Sequence, residues 1–106
     1  MALLPFILLA GDPLQDAAAA FTSCMTQQAH RYSATMEAAD VAADAALTAC
    51  NDQQAAMYKF IYDLGHKVGK MWLNSATDSV DRLVEAQKRL AVKTIIDDRM
   101  GSTQKQ

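Results

Sequence analysis

Residues 21–50 read FTSCMTQQAHRYSATMEAADVAADAALTAC, and this stretch decides the fold. It holds both cysteines of the chain, Cys24 and Cys50. On the N-terminal side, Leu14, Ala17, Ala18, Phe21, Cys24, Met25, Gln28 and Tyr32 recur at the spacing of one helical face. The pattern lapses at Ser33-Ala34-Thr35 and resumes near Ala38. If the chain turns near Glu37 into an antiparallel hairpin, facing residues have numbers that sum to about 74, and Cys24 and Cys50 satisfy that sum. Helix axes pack about 8–10 Å apart and Cα atoms stand about 2.3 Å off each axis. Facing Cα atoms then approach within disulfide range. The alanines at 17–20, 42, 43, 46 and 49 permit that approach. A Cys24–Cys50 disulfide is therefore expected, contributing about 3–3.5 kcal/mol in the chain-entropy account.

Working outward, Asp12-Pro13-Leu14-Gln15 has the form of a helix start, with Asp as N-cap and Pro at the first helical position. The second helix carries a heptad-like seam: Ala43, Leu47, Cys50, Gln54, Met57, Ile61, Leu64, Val68 and Met71. Gly65 and Gly69 weaken it and allow a break near Gly65. Asn74-Ser75-Ala76-Thr77-Asp78 reads as a stop followed by a new start, with Ser75 and Asp78 as a capping box. A third helix follows, with Val80, Leu83, Val84, Gln87, Leu90, Ala91, Thr94 and Ile95 on its apolar face, ending near Met100-Gly101. The fold expected is an all-α, antiparallel three-helix bundle with helices 1 and 2 joined by the disulfide. Residues 12–100 form a single helical domain and 101–106 a frayed tail. A chain of 106 residues buries only a thin core, so a covalent bridge matters.

The first thirteen residues, MALLPFILLAGDP, pair a short apolar run at 2–10 with Gly-Asp-Pro. That resembles the apolar core and helix-breaking end of a secretory signal peptide, without a basic residue ahead of it. A cut after Ala10 leaves Leu8 at the −3 position, and a cut inside 17–20 extends the removed segment toward residue 20. LAGD has Asp12 where a lipidated cysteine would stand, so no lipid anchor is expected. Disulfides persist in oxidising compartments, which agrees with a periplasmic or secreted location. The competing reading keeps residues 1–10 as an apolar anchor on a membrane-associated accessory subunit.

FTSC, the tyrosine eight residues after Cys24 and VAADAALTAC together resemble small exported proteins of Gram-negative bacteria. Those proteins carry two cysteines and an alanine-rich second helix, and are uncharacterised. The similarity covers 21–57. It implies export and a helical bridge, and no activity.

Chemistry-bearing motifs are sparse. Net charge is −2 and the basic residues form only the short runs HKVGK and QKRLAVK, so no nucleic-acid partner is expected. No run reaches the roughly 18 apolar residues of a spanning helix. Cys24 and His30 are six residues apart and point differently, so no thiol–imidazole nucleophile is expected; the sum rule sets His30 opposite Asp44 instead. There is no C-x-x-C, no clustered metal-ligand spacing, and no Gly-rich phosphate loop. Met25, Met57 and Met71 sit on or beside apolar stripes and read as core. Neither catalytic residues, metal nor cofactor is expected, although Asp40, Asp44, Asp52 and Asp63 leave an acid-dependent enzyme as a weaker class.

One feature points to binding. Tyr62, Gly65, Gly69 and Trp72 fall on one stripe if the second helix is continuous, forming a notch rimmed by aromatics. Helix 1 no longer covers the second helix beyond Phe60, so residues 61–72 lie open to a protein partner or a second copy, unless helix 3 or residues 3–7 fill the notch. The function expected is that of a small non-enzymatic exported protein, a protein-interaction or envelope and stress factor.

Overall fold

The computed structural model describes residues 13–105, with side chains through Gly101; the signal-like segment at 1–10 and the Asp12 cap lie outside the described residues. Among the described residues there are four α-helices: α1 Pro13–Tyr32, α2 Ala39–Ala49, α3 Asn51–Val68 and α4 Lys70–Lys105. The described residues are all-α, as expected, but with four helices rather than three.

The count differs because the expected second helix is jointed and ends early. Cys50 leaves helical geometry, with φ −100° and ψ 20°, and divides α2 from α3. Its N–H still donates to the Ala46 carbonyl at 3.1 Å, and the Gln54 N–H donates to the Cys50 carbonyl at 3.1 Å. The joint is a single residue, followed by Asn51 and Asp52, whose side chains compete for backbone groups and favour helix ends.

The second difference lies at the far end. Gly69 has φ 132° and ψ 164°, a region essentially restricted to glycine, and there the chain turns from α3 into α4. Its N–H caps α3 by donating to the Gly65 carbonyl at 2.9 Å. The stop expected at 74–78 does not occur. Trp72, Leu73, Ala76, Val80 and Leu83 keep a helical apolar face through that stretch, while Asn74, Ser75 and Asp78 are exposed. Tertiary packing overrides the local capping preference. Asp78 instead accepts from Arg82 one turn on, at 3.0 Å.

α4 sets the shape. Thirty-six residues at about 1.5 Å each span about 54 Å, the length of the long axis of 54 × 32 × 18 Å. α1 packs against all three other helices, and α4 does the same. The core they enclose is thin and rich in small residues: Phe21, Met25 and Ala29; Ala42, Ala43, Ala46 and Cys50; Met57 and Ile61; Val80, Ala91 and Ile95. Alanine at three α2 positions brings that helix close to its neighbours, and close approach is what the bridge requires.

The bridge is present. Cys24 and Cys50 are joined with their Cα atoms 5.9 Å apart. The staple runs from the middle of α1 to the α2–α3 joint rather than into the middle of one long helix. Cys50 is fully buried.

Candidate functional site

The four residues expected to form one notch are separated by the turn at Gly69. Gly65 is buried beneath Leu73 of α4. A Cβ on Gly65 would lie 2.8 Å from Leu73 Cδ1 and 2.9 Å from Leu73 Cβ. The glycine is the space into which α4 folds, so helix packing fills the expected notch. Tyr62 stays on α3, 58% exposed, with its ring edge-on to His66 at 5.3 Å. Trp72 has turned onto α4 and is half-buried. The continuous stripe is therefore corrected: its two aromatic ends face different surroundings.

Trp72 lines a different concavity. A cleft of about 410 Å³ opens where the first turns of α1 meet α3 and α4. Leu14, Ala18, Met57, Trp72, Val80 and Leu83 give it apolar walls. Gln15, Ser75 and Ser79 supply uncharged polar groups at the lining, and among the described residues no charged side chain lines it. Its volume falls within the range of small-molecule and side-chain pockets. From the sequence, Trp72 alone of these residues reads as a binding residue, while Leu14, Ala18, Met57, Val80 and Leu83 read as core stripes, because the walls come from three helices and have no common spacing.

Beside the cleft, the Tyr58 hydroxyl donates to Asp81 at 2.5 Å, linking α3 to α4. Burial, reinforced by the carboxylate, pushes the phenol up to about 12. That keeps Tyr58 protonated at neutral pH and makes it a structural donor, not a base.

The polar residues expected to face one another across the first hairpin are paired elsewhere. His30 Nδ1–H donates to Asp98 of α4 at 2.6 Å, and Asp44 accepts from Lys88 of α4 at 2.7 Å. The expected His30–Asp44 pair is replaced because α4 runs alongside both helices and offers each a partner. Arg99 donates from Nε to the Ser33 carbonyl at 3.0 Å and from Nη2 to the Thr35 carbonyl at 2.9 Å. These contacts tie the α1–α2 turn to α4.

The acidic residues of α2 and α3 do not converge. Asp63 accepts from Lys59 at 2.7 Å, which holds its carboxyl below the usual range. Among the described residues, no group of three His, Cys, Asp or Glu side chains is placed to hold a metal ion. Among the same residues, no helix is long and apolar enough to cross a membrane. Comparison with protein-family models, with curated proteins and with solved structures returns no match for this chain.

Proposed function

We propose that this is a small exported helical protein without enzymatic activity, which acts in the periplasm or outside the cell by binding another protein. The observation that carries the reading is the Cys24–Cys50 bridge: a buried half-cystine at a helix joint suits an oxidising compartment. The likeness of residues 21–57 to small exported Gram-negative proteins supports the same reading. The binding element is the Trp72 cleft, whose described walls are largely apolar and suited to apolar side chains of a partner.

The cleft also bears on processing. Leu14, Gln15 and Ala18 form part of its wall, and Ala17 packs on the core. A cut at 17–20 would remove that wall, whereas a cut after Ala10 leaves α1 whole. The mature chain is therefore proposed to begin at Gly11.

N-terminal sequencing and thiol titration of the protein recovered from cells test the export reading. A chain starting at Gly11 with no titratable thiol is expected; an intact Met1 together with two free thiols overturns it. A photo-crosslinker at Ser75, on the cleft lining, tests the binding reading. A discrete adduct that Trp72→Ala abolishes is expected, and an adduct indifferent to Trp72 contradicts it.

A further inference from the structure

The corner between α3 and α4 differs from the rest of the surface. His66, Lys67, Val68, Gly69, Lys70 and Met71 are all exposed. Val68, the last residue of the α3 seam, is 54% exposed, and Met71, just past the turn on α4, is 87% exposed. The corner carries apolar side chains that the fold does not cover. It also carries a local charge opposite to that of the chain. No acidic residue occurs between Asp63 and Asp78, while Lys67 and Lys70 flank Val68 and Met71. Of the acidic groups on the neighbouring elements, Asp63 pairs with Lys59 and also lies within electrostatic reach of His66 and Lys67, Asp78 pairs with Arg82, and Asp16 lies in the first turn of α1; the two lysines still outnumber the one carboxylate beside them.

From this juxtaposition we infer that the 66–71 corner docks on an anionic lipid surface. Val68 and Met71 enter the headgroup boundary, and Lys67 and Lys70 pair with the negative headgroups. Apolar side chains beside lysines are the arrangement that binds the interface of an anionic bilayer. Gly69 turns the chain from α3 into α4, so the corner is a turn between two helices rather than one helix lying flat. The charge match favours a lipid surface over a second copy of the chain, whose equivalent corner would bring lysines against lysines. The inference goes beyond the protein-binding reading and uses a different part of the surface.

Co-sedimentation of the full chain with vesicles tests it. One set holds equal phosphatidylglycerol and phosphatidylcholine, and the other phosphatidylcholine alone. Partitioning onto the anionic set is expected to exceed the neutral set at least tenfold and to weaken with salt. Each lysine near a charged surface is worth about fivefold, so Lys67→Gln with Lys70→Gln costs about 25-fold. Val68→Ser with Met71→Ser is expected to cost about tenfold or more on the anionic set. Both pairs are exposed, so thermal melts should match the parent. Equal binding to both vesicle sets, no vesicle binding, or binding that all four substitutions leave unchanged overturns the inference. The last result would assign membrane affinity to another part of the chain.

Discussion

The two ends of the bundle are built from similar parts and finished differently. At one end, the turn from α1 to α2 is stitched to α4. Arg99 binds two of its carbonyls, His30 binds Asp98, and the Ser33 and Thr35 hydroxyls donate to the His30 and Tyr32 carbonyls. At the other end, the α3–α4 corner turns on Gly69, with Leu73 packed on Gly65. The first end invests polar groups in order. The second leaves Tyr62, Val68 and Met71 exposed, with the Trp72 cleft close behind. The staple at Cys24 and Cys50 separates these two regimes, and both proposed contact surfaces lie toward the corner end.

Breaking the staple should affect both ends most. Replacing both cysteines with serine is expected to lower stability by about 3.5 kcal/mol, read as the shift of the urea midpoint between oxidised parent and variant. An unchanged midpoint would mean that the thin core holds the register unaided. The next effect belongs to the open end. Gly65→Ala pushes against Leu73 and should cost about 1–3 kcal/mol, with restored stability when Leu73→Ala is added. Additive losses in the double variant would show that the two residues do not meet.

Arg99→Ala probes the stitched end. It removes two hydrogen bonds to the turn and should cost about 1–2 kcal/mol, with faster amide exchange confined to 33–38. Loss of protection at the corner instead would contradict the separation of the ends. The smallest effect is the pH dependence of Tyr58. The folded phenol titrates at about 12, above the ordinary value of 10.0, so the fold binds more protons than the unfolded chain between those values. Stability from this group is fully present below pH 10 and is lost as pH rises toward 12. Tyr58→Phe should flatten the decline over that window.

Much of this contrast was legible in residue spacing, and the failures are informative. The buried face of α1 and the pairing of Cys24 with Cys50 follow from apolar period and turn position. The hairpin rule fails for His30 and Asp44 because it describes two helices, while α4 supplies partners to both. The polar run at 74–78 misleads because capping residues are tolerated on the solvent side of a helix whose other face is held by Trp72, Ala76 and Val80. The true corner needs the one backbone conformation at Gly69 that glycine alone adopts readily, and a helical pattern gives two glycines without ranking them. The cleft was hidden because its walls meet only after that corner has turned.

The central claim is that one intramolecular bridge fixes the register from which the stitched and open ends follow. Peptide mapping by mass spectrometry, on protein isolated from cells without reductant, tests it most directly. The account predicts a single linked pair of peptides, one holding Cys24 and the other Cys50, in a species of monomer mass. Free thiols at both positions, or a Cys24–Cys24 link between two chains, would contradict it.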